Sequence, residues 1–89
     1  MNLRGEQDMD QQTALEKVTA IIKPYAKNLA PLEEGNMEAR ILEDLGVNSA
    51  RLVDIILAFE DEFGISIDDE TADKVRTIND AVQVILSQA

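Results

Sequence analysis

The chain has 89 residues, 18 acidic and 8 basic side chains, no histidine and no cysteine, for a formal net charge of −10. This length accommodates one modest core, in a size range that buries roughly 60–70% of the unfolded surface. The missing cysteines exclude a disulfide framework and a thiolate metal site, and the charge opposes nucleic-acid phosphates and anionic membranes as direct partners. No apolar run approaches the ~20 residues of a membrane span, and the opening MNLRGEQDMDQQ is polar; a cytoplasmic monomer is expected. Acidity is concentrated: from Glu33 to Asp73 thirteen acids stand against two bases, Arg40 and Arg51. Such a field favours partners with basic patches and speeds encounter with them.

In chain order, residues 1–12 read as a flexible tail and residues 13–89 as one domain. Thr13 and Glu16 have capping-box spacing. Leu15, Val18, Ile22, Tyr25 and Leu29 then form a helical stripe interrupted by Pro24, so the helix either ends near Lys23 or bends there, and the stripe continuing to Leu29 favours the bend. Ala30 to Asn48, punctuated by Pro31, Gly35 and Gly46, reads as a long connection pinned to the core by Ile41, Leu42 and Leu45. Asn48 or Ser49 starts the clearest helix, NSARLVDIILAFEDEF, with Leu52, Ile55, Ile56, Phe59 and Phe63 as its stripe, Val53 and Leu57 widening it, and Gly64 ending it. Ile65 and Ile67 alternate before Asp68 or Asp69, which can cap a short helix. Thr77, with Asp80 in the reciprocal position, caps a last helix whose inward face is Ile78, Ala81, Val82 and Ile85. No segment reads as a paired strand. The fold class is all-α: a small bundle of three longer helices plus one short helix, with a long first loop.

Self-contained catalysis is disfavoured. A nucleophilic serine needs a base, usually histidine, and there is none. The glycines form no phosphate loop. The acidic run Asp68 to Asp73 lacks the glycine of a calcium loop, so no dedicated metal site is expected.

The segment LEDLGVNSARLVDIILAFEDEFGISI resembles the acyl carrier protein family, whose hallmark is an acidic, apolar loop ending Leu-Gly-x-Asp-Ser-Leu at the start of an acidic helix. Leu42, Glu43, Asp44, Leu45 and Gly46 match the approach, and Ser49 takes the place of the modified serine. Val53, Asp54, Ala58, Glu60, Asp61, Glu62 and Phe63 match the following helix, and the likeness extends more loosely over roughly residues 13 to 87. The resemblance implies a non-enzymatic carrier. A phosphopantetheinyl transferase would attach 4′-phosphopantetheine from coenzyme A to Ser49, and the arm would carry an acyl or aminoacyl thioester between loading and transferring enzymes. An exposed serine at a helix start, where N–H groups and the positive dipole end gather, suits a phosphate.

Two departures stand out. Asn48 replaces the family's Asp before the serine, removing a charge from the priming context, and Ala50 replaces the following Leu, removing an apolar partner contact. Arg51 adds a positive charge to a face the family keeps acidic. These changes imply a specialised pathway of lipid or secondary-metabolite synthesis. By the same resemblance Asp44, Ala50, Arg51, Asp54, Glu60 and Asp61 form the partner face, while Leu57, Phe59, Ile67 and Val75 are assigned to the core, where some would also line a cleft for a long acyl cargo. The rival reading is an unmodified acidic helical adaptor for a basic protein.

Overall fold

A computed structural model describes residues 10–88. The chain forms α1 (Gln11–Ile22), a 3-10 turn (Lys23–Tyr25), a single-turn α2 (Ala30–Glu33), the long α3 (Ser49–Phe63), a single-turn α4 (Asp69–Ala72) and α5 (Ile78–Gln88). The three longer helices of the sequence reading are α1, α3 and α5, and its short helix is α4. The described residues contain no strand, only an isolated antiparallel bridge between Arg40 and Thr77.

The start of α1 differs from the expectation. Asp10, not Thr13, is the N-cap, its carboxylate accepting from the Thr13 N–H at 2.8 Å. Glu16 instead accepts from the Gln12 side chain at 3.2 Å. Two cap-competent residues stand three apart here, and the earlier one prevails. Met1 to Met9, most of the expected tail, lie outside the described residues.

The far end differs too. Pro24 does not bend α1; the helix ends at Ile22, tightens into the 3-10 turn and leaves at Ala26 in extended conformation. Proline cannot donate to the preceding turn, and its ring crowds the carbonyl there. Tyr25 and Leu29 are therefore half-buried beyond the helix rather than on its stripe. The buried face of α1 is Ala14, Val18 and Ile22, spaced by four; Ala14, overlooked for its size, is wholly inside.

α1 packs against α5 and α3. The core joins the α1 face to Ile55, Ile56 and Phe59 of α3 and Ile78, Ala81, Val82 and Ile85 of α5, the last set as read from the sequence. Thr77 and Asp80 form the expected reciprocal cap: the Asp80 N–H donates to Thr77 Oγ1 at 3.0 Å and the Thr77 N–H to the Asp80 carboxylate at 3.1 Å.

The long connection is tied down on both sides. The Ile41 N–H donates to the Arg76 carbonyl at 2.8 Å, Ile78 to Ala39 at 3.0 Å and Asn79 to Met37 at 2.8 Å, so this stretch runs beside the entry to α5. The Leu45 carbonyl accepts from both Lys27 and Asn28, at 2.9 and 3.0 Å. Gly46 follows at φ +70°, and a Cβ there would sit 3.3 Å from that of Lys27, so the turn needs glycine for both conformation and space. Ile41 and Leu45 are fully buried, as expected, together with Ala39 and Val47.

Leu42 departs from its assignment as an anchor: it is 36% exposed. Val53 and Leu57, placed on the buried stripe from sequence, are 61% and 55% exposed, which also removes Leu57 from the core. Their spacing puts them beside the stripe, but α1 covers α3 from one side only, and α4 is too short to cover the other.

Candidate functional site at the start of α3

Asn48 is extended, φ −65° and ψ 131°, and its side chain accepts from the Ala50 N–H at 2.8 Å while its carbonyl accepts from Arg51. Ser49 is thereby placed as the first helical residue of a 15-residue helix, exposed to solvent. No hydrogen bond among the described residues uses its hydroxyl. Gly46 takes φ +70°, Val47 is buried, and the extended Asn48 then caps the helix by accepting the Ala50 N–H on its side chain.

Ser49 stands at one end of a cleft of about 310 Å³ between α3 and α4. Leu52, Val53, Ile56 and Leu57 of α3 form one wall, Asp69, Ala72 and Asp73 the other, and Glu60 and Ile67 close the far end. The exposed Val53 and Leu57 thus belong to a surface groove rather than to the core. Of the four residues assigned to the core from sequence, Phe59, Ile67 and Val75 are buried in it and only Leu57 is not; Ile67 also lines this groove with Leu57, while Phe59 lies beside Phe63 at 6.3 Å between ring centroids. Val75 lines a neighbouring cleft of about 380 Å³ with Arg40, Leu42 and Arg76, which shares Leu52, Ala72 and Asp73 with the first. Sequence periodicity cannot reveal such a groove, because its outer wall comes from α4, whose position depends on long-range packing.

The acids of the partner face differ in what holds them. Asp44 accepts from the Arg40 N–H at 2.8 Å and lies 3.6 Å from the Arg40 guanidinium. Asp54 is paired with Arg51 at 3.1 Å, so the added cation is turned onto the α3 surface itself. The Glu60 carboxylate accepts from the Ile67 N–H at 2.6 Å. Asp61 is exposed and has no ion-pair partner among the described residues, while its neighbour Glu62 reaches Lys17 of α1 at 3.0 Å. Among the described residues no three acids are grouped to hold a metal ion, and no helix is long and apolar enough to cross a membrane.

Residues 16–85 match the family model described as the phosphopantetheine attachment site. The structure also resembles that of the acyl carrier protein from Enterococcus faecalis, a protein whose novel structural components contribute to its high thermal stability. The two chains are 33% identical, the match covers 91% of this chain and 100% of that one, and the TM-score is 0.76.

The matched family and the similar solved structure are those of carriers that bear a cofactor, and this all-α chain is such a carrier rather than an enzyme. The chain belongs to the acyl carrier protein family. Its cofactor is covalently attached 4′-phosphopantetheine, and its general partners are phosphopantetheinyl transferase and acyl-handling enzymes.

Proposed function

We propose that Ser49 is the attachment residue, and that the chain holds an acyl or aminoacyl group beside the α3–α4 cleft for delivery to enzymes of a specialised cytoplasmic pathway of lipid or secondary-metabolite synthesis. The observation that carries this reading is the position of Ser49: exposed, first in α3, inside the matched segment and at the mouth of an apolar groove. The residues present fit the arm. No hydrogen bond among the described residues engages the Ser49 hydroxyl, the start of α3 favours a phosphate, and Leu52, Val53 and Leu57 offer apolar surface in the same cleft. When bound, the arm supplies a thiol that holds the cargo as a thioester.

In priming, the Ser49 Oγ forms a new bond to the β-phosphorus of coenzyme A as the pyrophosphate bridge breaks. Adenosine 3′,5′-bisphosphate leaves, and the hydroxyl proton passes to a base of the transferase, since this chain has no histidine to take it. Asn48 fixes the start of α3 and hence the position of the hydroxyl, without the negative charge an aspartate would add. Asp44, Ala50, Arg51, Asp54 and Asp61 would meet the partner.

Intact mass after incubation with coenzyme A and transferases tests the reading. One added phosphopantetheine group is expected, absent in Ser49→Ala, with Asn48→Asp primed faster by a broad-specificity transferase. No addition with several transferases, including the one from the source organism, overturns the assignment in favour of the unmodified adaptor.

A further inference from the structure

The cleft wall formed by α4 has little of its own to hold it. None of the four residues of α4 is buried, and its buried flanks are Ile67 on one side and Val75 on the other. The Asp68 side chain caps α4 through the Thr71 N–H at 2.8 Å, which shapes the turn but does not fasten it to α3. Ile67 and Val75 anchor it by burial, and its polar tie to α3 comes from Glu60. Its carbonyl accepts from the N–H groups of Gly64 and Ile65 as α3 ends. Its carboxylate reaches seven residues ahead to the Ile67 N–H at 2.6 Å in a partly buried setting. Both residues line the cleft.

We propose that Glu60 is a positioning residue: its carboxylate latches the α3–α4 connection through Ile67 and so sets how far the α4 wall stands from Val53, Ile56 and Leu57. Glu60 thereby controls how well the groove shields whatever lies in it. The inference rests on the carrier reading for its functional consequence, but the latch itself is a property of the unmodified chain. A charge-assisted bond to a backbone N–H is stronger than a neutral one, and leaving that N–H unpaired in a partly buried place is unfavourable. Glu62, exposed on the same helix with the same charge and paired with Lys17 of α1 rather than with the α3–α4 connection, is the control.

Two measurements test the latch. The first is amide exchange at Ile67 and through α4 in the unloaded protein. The second is hydroxylamine cleavage of an octanoyl group loaded through the arm. Glu60→Ala is expected to speed Ile67 exchange roughly tenfold or more and to speed cleavage severalfold, with Glu62→Ala changing neither. Glu60→Gln keeps an acceptor oxygen and restores most of the protection. Glu60→Asp, one methylene too short, behaves as Glu60→Ala and serves if the alanine variant does not fold. Unchanged exchange in Glu60→Ala and Glu60→Asp overturns the latch; faster exchange with unchanged cleavage overturns its control of shielding. Failure of the wild-type chain to accept the arm refutes the carrier reading instead, and the exchange measurement still decides the latch.

Discussion

Replacing Leu45 by alanine removes a side chain that is fully buried in the middle of the connection between α2 and α3. Three methyl or methylene groups at ~0.8 kcal/mol each give a transfer loss of ~2.4 kcal/mol. Collapse into the space is restrained, because the Leu45 N–H is bonded to the Arg40 carbonyl at 3.1 Å and its own carbonyl holds both Lys27 and Asn28. A cavity penalty therefore adds, for a total of about 3–4 kcal/mol. Against a total stability of ~5–15 kcal/mol for a small domain this is a large fraction, and at ~4–8 °C per kcal/mol the midpoint falls by at least ~12 °C. Leu42, three residues earlier in the same loop, is the comparison. It is 36% exposed, and water fills the space it leaves, so Leu42→Ala loses only about 1–1.5 kcal/mol. Urea unfolding followed by helical circular dichroism measures both. Costs equal within ~0.5 kcal/mol, or a larger cost at Leu42, would refute the account of how this loop is anchored.

Thr77→Ala removes the hydroxyl that accepts the Asp80 N–H and should destabilise the protein by about 1 kcal/mol; a stability within error of wild type would mean that the α5 cap does not matter energetically. Acid should act through two other caps. Asp10 is held below its ordinary carboxyl value of 3.8 by the Thr13 N–H first and the Thr13 side chain second, and Asp68 likewise by Thr71. Because each folded-state pKa is depressed, the stabilisation is complete above 3.8 and is lost as pH falls through the lower folded values. The double variant Asp10→Ala/Asp68→Ala should therefore be less stable than wild type at neutral pH and converge on it in strong acid. A stability gap that persists unchanged at low pH would contradict that linkage.

α3 was legible from residue order alone because every local signal agrees: an Asn cap, a stripe at helical spacing and a glycine that adopts φ +65° just past the end. The same holds for α5, where Thr77 and Asp80 cap each other within one turn. Local signals failed where they competed. Asp10 and Thr13 could each begin α1, and the stripe running past Pro24 pointed to a bend where the chain instead closes α1 in a 3-10 turn and leaves it extended at Ala26. Ser49, the proposed attachment residue, is singled out by its surroundings in the sequence, since its place at the head of the acidic helix is a matter of order along the chain.

What order along the chain could not decide was which side of α3 has a neighbour. Val53 and Leu57 are as apolar as Ile55 and Ile56, and a helix broadens its buried stripe wherever something packs against it. Only the tertiary structure shows that α1 covers one side and that the four residues of α4 leave the other as a groove. It likewise shows the Glu60 carboxylate turned onto a backbone N–H rather than out to solvent. The sequence by itself determined the three longer helices, the concentration of acids and the family of the carrier, but neither end of α1 nor the single-turn α2. The cleft and the latch were decided by contacts between elements that no local pattern encodes, because burial depends on the partner as much as on the residue.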